Sequence, residues 1–560
     1  MRRTFFTAIC FLAALTAGAQ GLSERVFLST DRAVYVAGED IRVSAFCMDA
    51  SDRRLSDFSS VCYIELRSSD GLAACARAAL AEGRGAAVLT IPTGVPTGNY
   101  RLFAFTAQNR NEDGFDLAST ARTVSVINPY SSARVAGGVN IVPDGAYGVN
   151  PAQAVSSGGL SISAPEEAVC SSVIPVSLTC GKLPATVSIS VWNDDGIAIP
   201  ESQGIDGFVS SLKPGTSFSD VVQGEYEGEI IRGRVVGATP GQLRSISGGS
   251  AFISAPGDQP DVYSATIGPD GSLEFYTSNI YGNREIVCEI EGLDKDSNAH
   301  IDLESPFVDV DVDDVPVLNL SESLAERIKS RALAAQIERT FTADTLFQSI
   351  PHRGNIIFGE DESVRYVLDD YTRFPTMEEV IVEFVTELRS RRNDDGTRGI
   401  QARVKNLYEA WTFLSGQSLI MIDGVPVFDH SRVLDYDPLL VEYIDVYPYQ
   451  YFFGVRSFSG VANFVTYRRN MPSVEFGNNV RIVDFTGASY PSSYTCAGVS
   501  GDYPDLRRTA YWHPLVELDA DAGITVDVKL PQYPGRFVIE VTGLASDGSP
   551  VYSTAVVNSR

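Results

Sequence analysis

Apolar and polar residues alternate with period two over most of this chain, in short runs cut by Gly, Pro, Asn and Asp. Val26-Phe27-Leu28 leads into Ala33 to Val36, and a Gly38-Glu39-Asp40 turn separates that run from Ile41 to Phe46. Cys62 to Leu66, Ala86 to Ile91 and Gly98 to Phe105 follow, with Ser69-Asp70-Gly71 closing the first of these. Such runs predict strands, and their spacing predicts an antiparallel sandwich over 22–128. The Asn-Pro and Gly-Gly steps of 129–159 predict a linker. A second sandwich is expected over 160–222, with Ala185 to Trp192 its clearest strand. A third covers 225–304, where Ala265 to Phe275 predicts a hairpin around Gly268-Pro269-Asp270-Gly271.

The pattern changes after Pro316. Ser323 followed by Glu326 predicts a capped helix over Leu324 to Thr340, inside a connector at 305–354. Met377, Val380, Ile381, Phe384, Val385 and Leu388 then recur at helical spacing and predict one amphipathic helix. Strands return at Gln401 to Val404, Ser418 to Val427, Tyr443 to Tyr447 and Gly460 to Thr466, with a short helix at Pro438 to Glu442. Residues 355–470 therefore read as a small α/β body, and 471–560 as a C-terminal β domain. The fold class is mainly β: several antiparallel sandwiches with an inserted α/β domain.

Composition narrows the function. At roughly 150 residues per domain, 560 residues predict three or four domains. The formal charge of −27 argues against nucleic acid or anionic lipid as a partner. Residues 1–19 carry a signal-peptide pattern: Arg2-Arg3, an apolar run from Phe5 to Leu15, then Ala17-Gly18-Ala19, which places processing before Gln20. No later stretch is apolar and long enough to predict a transmembrane helix. Export to the periplasm or outer membrane is expected. Beyond the leader stand Cys47, Cys62, Cys75, Cys170, Cys180, Cys288 and Cys496. Cys62/Cys75 and Cys170/Cys180 could each bridge; the plainer reading makes most of the seven small buried side chains in strands.

Three segments carry family resemblances. Thr30-Asp31-Arg32-Ala33-Val34-Tyr35-Val36-Ala37-Gly38-Glu39, with Gly98-Asn99-Tyr100-Arg101-Leu102 later, resembles a macroglobulin-type sandwich domain. Glu229 to Val235 with the Asp270-Gly271 turn is similar to a carboxypeptidase-regulatory-like sandwich. Leu419-Ile420-Met421-Ile422-Asp423-Gly424-Val425-Pro426, Ile444-Asp445-Val446, Phe453-Gly454 and Ser459-Gly460 to Thr466 resemble the plug domain of TonB-dependent outer-membrane receptors. The order of the three, with Leu368 to Pro375 and Arg508 to Pro514, resembles secreted envelope proteins of the Bacteroidota. The resemblance implies Asp423, Gly424, Gly454 and Gly460 as structural plug positions. Only about 90 residues follow Asn470, so no receptor barrel is expected from this sequence. No Cys-Gly-Glu-Gln thioester text occurs, which excludes covalent trapping of the macroglobulin kind.

Candidate chemistry is sparse. His300, His352, His430 and His513 stand in no zinc-hydrolase spacing, and no nucleophile elbow or phosphate loop occurs. His430 beside Asp429 reads as an exposed loop histidine. Asp294 to Asn298 mimics a calcium loop but has Ala299 and Ser305 where glycine and glutamate are required, so it reads as a solvated turn. Asp309, Asp311 and Asp313 alternate with valines and predict a strand with one acidic face. Asp423-Gly424 reads as a tight turn whose carboxylate accepts backbone hydrogen bonds. Tyr447, Tyr449, Tyr451, Phe452 and Phe453 are the interface candidates, expected in a connecting loop. The expected function is non-catalytic: binding of an envelope protein, such as an outer-membrane β-barrel, through a barrel-less plug-like domain. No catalytic residue, metal site or cofactor is expected. The alternatives are a soluble glycan- or peptide-binding module, or a hydrolase with an inter-domain site.

Overall fold

A computed structural model describes residues 22–560 except 144–154, 183, 198–199, 201, 220–221, 258, 279, 313–314, 342–346, 350–362, 394–395, 406–409, 490–493, 497–503 and 520–522. The expected leader, most of the linker's second half, the start of the plug-like segment and Asp313 lie outside the described residues. The structure is mainly β and built from many small sheets. It divides into two compact units, one of Met1–Glu227, Phe307–His352 and Ala488–Arg560, the other of Gly228–Pro306 and Arg353–Gly487.

In the first unit, strands Glu24–Thr30, Asp40–Asp49 and Arg84–Thr90 form one antiparallel sheet. Val34–Val36, Arg122–Ile127, Gly98–Phe105, Val61–Ser68 and Gly71–Ala79 form most of the sheet that faces it. Val26, Ile41, Val43, Ile64, Leu102 and Val124 fill the space between them. The Thr30–Glu39 text supplies this sandwich with a buried polar hub. The Asp31 carboxylate is fully enclosed and accepts from Tyr35 Oη at 2.7 Å, Arg42 N at 3.1 Å and Thr509 Oγ1 at 2.6 Å. Glu39 accepts from Val36 N at 2.7 Å and pairs with Arg32 at 3.1 Å. Buried charges need such partners, which explains the density of polar residues in that decad.

The segments 160–222 and 471–560, expected as separate bodies, share a sheet. Ala185–Asp194 lies between Thr509–Leu518 and Gly535–Ala545, and Pro550–Ser559 continues the sheet. Leu160–Ser163, Val173–Cys180 and Ile524–Lys529 form the sheet opposite. The physical reason is burial: nearly every residue of Ala185–Asp194 is enclosed, so its backbone needs ladder partners on both edges, and its neighbours in sequence are already used opposite.

The connector departs from expectation in two ways. Residues 309–312 form no strand; Phe307, Val308 and Val312 instead tuck against Tyr63, Phe103 and Phe105, and Val308 N donates to Glu65 at 2.9 Å. The helix Ala325–Phe341 is entered through a 3₁₀ turn at Glu322–Leu324, with no side-chain cap from Ser323. Cys47, Cys62, Cys75, Cys170, Cys180 and Cys288 are free thiols, and Cys62 and Cys75 face Ala78 and Glu65 across their ladder rather than each other.

The second unit holds a sandwich of Ser272–Tyr276, Ile230–Val236 and His300–Leu303 against Asp261–Thr266, Ser250–Ala255, Asn283–Ile290 and Arg481–Thr486. The expected hairpin at Ala265 to Phe275 is an arch. Asp261–Thr266 and Ser272–Tyr276 belong to opposite sheets, because Ala265, Ile267, Leu273 and Phe275 all turn into one core between them. Beside the sandwich stands the α/β body, with sheet order Val364–Val367, Val441–Phe453, Arg456–Thr466, Leu419–Ile422, Val425–Pro426. Its helix runs only from Met377 to Glu383, started by a Thr376/Glu379 capping box. Phe384 leaves helical geometry at φ −143°, and Leu388 opens the strand Leu388–Arg392. The spacing of apolar residues was satisfied by a two-turn helix followed by a turn: Met377, Val380, Ile381, Val385 and Leu388 are all buried in one core.

Candidate functional site

Val441–Phe453 and Arg456–Thr466 form a long hairpin, and all five aromatic candidates lie on its first strand rather than in a loop. The register shifts between Tyr447 and Gln450, where Pro448 has no N–H to donate to the ladder. Beyond that bulge the side chains alternate. Tyr447, Tyr451 and Phe453 turn toward a cluster of Phe252, Val262, Leu419, Met421, Phe458 and Val461. Phe453 meets Phe458 at 6.1 Å between ring centres, and Tyr447 meets Tyr451 edge-on at 6.5 Å. Burial pushes the Tyr447 hydroxyl up to about 12. Phe452 takes the other side and is 73% exposed, and Val455 in the two-residue loop is 65% exposed. Tyr449 ends a row of alternating cations and rings: Arg389 over Phe413 at 3.9 Å, Lys405 over Trp411 at 5.4 Å and over Tyr449 at 5.8 Å. The sequence grouped five aromatics; the hairpin packs Tyr447, Tyr451 and Phe453, leaves Tyr449 half-buried against Lys405, and exposes Phe452.

The glycine candidates have steric roles. Gly454 makes the hairpin loop at φ +56°, and Gly460, at φ +78°, passes so close to the neighbouring strand that a Cβ would sit 2.7 Å from Ala402 Cβ. Asp423 and Gly424 form the turn between Leu419–Ile422 and Val425–Pro426, both at positive φ (+49° and +83°). This is the combination that a two-residue hairpin loop with right-handed twist requires. The buried Asp423 carboxylate accepts from Thr466 N and Thr466 Oγ1 at 2.6 Å each and from Met471 N at 2.8 Å. It ties the turn to the end of the long hairpin. A Cβ on Gly424 would sit 2.1 Å from Pro260 Cβ.

A cavity of about 1020 Å³ lies in the same unit, between the end of strand Asn283–Ile290 with its following turn and the strand Arg398–Ala402 with the helix His430–Leu434. Asp429 caps that helix by accepting from Ser431 N at 3.1 Å. His430 is half-buried, not the exposed loop residue expected. Its Nδ1 accepts the Ile400 N–H at 3.0 Å, so the proton of the neutral ring sits on Nε2. Burial pulls its pKa down to about 4, which keeps the ring neutral at pH 7. Glu289 is on the facing strand. Burial pushes its carboxyl up to about 8, with Arg432 opposing the shift and Asp429 adding to it. Glu291 on the rim pairs with Arg456. Neither Glu289 nor the role of His430 was legible in the sequence, because each depends on a partner far away in the chain. Among the described residues no group of three or more His, Cys, Asp or Glu side chains is placed to hold a metal ion.

No family model matches this chain. No curated protein matches it either. Solved structures do. The alpha-2-macroglobulin of Salmonella reacted with methylamine matches 96% of this chain and 23% of its own, with 10% identity and a TM-score of 0.16. Trypsin-activated alpha-2-macroglobulin from Escherichia coli matches 96% of this chain and 41% of its own, at 8% identity and a TM-score of 0.24. The Escherichia coli adhesin FdeC matches 49% of this chain and 62% of its own, at 14% identity and a TM-score of 0.15. The chain thus spans less than half the length of either macroglobulin. No helix among the described residues is long and apolar enough to cross a membrane.

Proposed function

We propose that this chain is a non-catalytic protein of the bacterial cell envelope that binds another envelope protein, an outer-membrane β-barrel, through its plug-like α/β body. The observation that carries this reading is the tip of the long hairpin, where Phe452 and Val455 stand 73% and 65% exposed, with the half-buried Tyr449 further along the same strand. An exposed aromatic ring next to an exposed aliphatic side chain at a hairpin tip is the kind of surface that anchors protein interfaces. In the receptors this body resembles, a plug is held by a surrounding protein, and the exposed hairpin tip is the surface offered to such a partner here. The leader pattern of residues 1–19 supports export to the compartment where such a partner is met.

Recovery of the tagged full chain from detergent-solubilised envelopes tests this. A stoichiometric β-barrel partner, reduced several-fold by the Tyr449→Ser/Phe452→Ser double variant, supports it. Absence of a barrel partner, or equal recovery by a folded double variant, removes it. The reading as a soluble ligand-binding module draws on a different feature, the polar cavity.

A further inference from the structure

We infer that the cavity between Glu289 and His430 is a binding site for a neutral polyhydroxylated ligand, a short oligosaccharide. Three observations on its walls converge. First, with Glu289 protonated, five cationic side chains in and beside the walls (Lys295, Arg391, Arg398, Arg432 and Arg456) are matched by five carboxylates, Glu291, Asp294 and Asp429 together with Glu378 and Asp435, which pair with Arg398. The two sets cancel, so the cavity presents no net field to attract a phosphate, a nucleotide or a polycation. Second, it presents many short-range donors and acceptors. His430 carries its proton on Nε2; the Glu289 carboxyl lines the cavity; Asn479 Oδ1 is buried and unpaired. Gln417 and Asn393 line the same space, and the rings of Phe428 and Phe458 add apolar faces. Polar side chains aimed into a cavity with aromatic faces among them match the alternating hydroxyls and C–H faces of a sugar ring.

Third, the walls do not suit an extended peptide. Peptides that enter such clefts take up the free edge of a strand. Ser250–Ala255 pairs with Val287 to Ile290 and Arg481–Thr486 with Asn283 to Cys288, so at the cavity only Glu289 and Ile290 keep one edge without a ladder. The other edge of Arg398–Ala402 is also occupied, since Ile400 N donates to His430 Nδ1 at 3.0 Å and Ala402 N to Ser418 Oγ at 2.8 Å. An edge of two residues is too short to seat an extended peptide. The high pKa of Glu289 agrees with this assignment, because a carboxyl protonated at pH 7 both donates to and accepts from a hydroxyl.

The test is an array of neutral and acidic oligosaccharides and of peptides, probed with the full chain, followed by calorimetry with the best neutral oligosaccharide. Saturable binding of a neutral oligosaccharide is expected, weakened about tenfold or more by Glu289→Leu and by the Asn393→Ala/Gln417→Ala double variant. Thermal melting checks both variants, and the double variant decides the matter if Glu289→Leu does not fold. Tyr449→Ser/Phe452→Ser should bind sugar like the parent, so failure here is distinct from failure of the hairpin interface. No neutral-sugar binding, binding confined to acidic sugars or to peptides, or binding unchanged in the folded double variant would each overturn the assignment.

Discussion

Asp423 accepts three hydrogen bonds in a site closed to water, from Thr466 N, Thr466 Oγ1 and Met471 N. Hydrogen bonds to a charged group are worth about 1.5–3 kcal/mol each, and donors left unpaired add to the loss. Asp423→Ala should therefore destabilise the second unit by about 3 kcal/mol or more, read as a shift in its denaturant midpoint. Asp423→Asn, which keeps an acceptor and tolerates the positive φ, should cost clearly less. A midpoint unmoved by Asp423→Ala would mean that the turn does not anchor the sheet. Glu289 gives a pH signature. Its carboxyl ordinarily titrates near 4.5 and in the folded protein near 8. Between those values the native state holds a proton that the unfolded state has released, so stability falls as pH rises and levels off above 8. His430, pulled from 6.5 to about 4, works in the opposite direction at lower pH, adding stability as pH rises between those values. The parent's fall is therefore clearest between about pH 6.5 and 8, and in Glu289→Gln it should flatten. Parallel pH profiles of melting temperature would contradict the placement of this carboxyl.

The short helix Met377–Glu383 shows how an apolar spacing can be correct in its burial and wrong in its geometry. Met377, Val380 and Ile381 pack as a helical stripe, while Val385 and Leu388 reach the same core from a turn and a strand. Local periodicity sees which residues go inside; it does not see that Leu388 has a ladder partner in Ala402, fourteen positions on. The same limit explains the arch at Ala265 to Phe275, where a Gly-rich turn between two strands carries no mark of whether they pair or face each other. In the long hairpin, the composition at 447–453 announced aromatics, but the bulge at Pro448 set which of them point inward. Ile381→Asp would place a carboxylate in the core and should cost several kcal/mol, enough to lower the melting transition of this unit markedly. Unchanged melting would show that the helix face is not where the structure puts it. Tyr451→Ser should also destabilise, since that ring packs with the Phe458 cluster, whereas Phe452→Ser should not.

At the scale of the molecule, strands and a small α/β body were legible in the sequence, and so was the motif that supplies the buried hub at Asp31. The assembly of segments was not. Ala185–Asp194 takes both ladder partners from more than 300 residues away, and nothing in a local pattern encodes that distance. A consequence follows for truncation. A chain ended at Asn470 loses Thr509–Leu518, Gly535–Ala545 and Pro550–Ser559, exposing the apolar faces of Val187, Ile189 and Val191. It should lose the cooperative melting of the first unit and become protease-sensitive from about residue 155 to 222, although those residues are retained. Resistance there equal to that of the full chain would contradict the shared sheet. Recognition of an envelope partner is read from the amount of β-barrel protein recovered with the full chain from solubilised envelopes, compared with Tyr449→Ser/Phe452→Ser at matched folding. Stoichiometric recovery by the parent and a several-fold loss in the variant is the predicted result. Recovery of no barrel, or equal recovery by both chains, would contradict it.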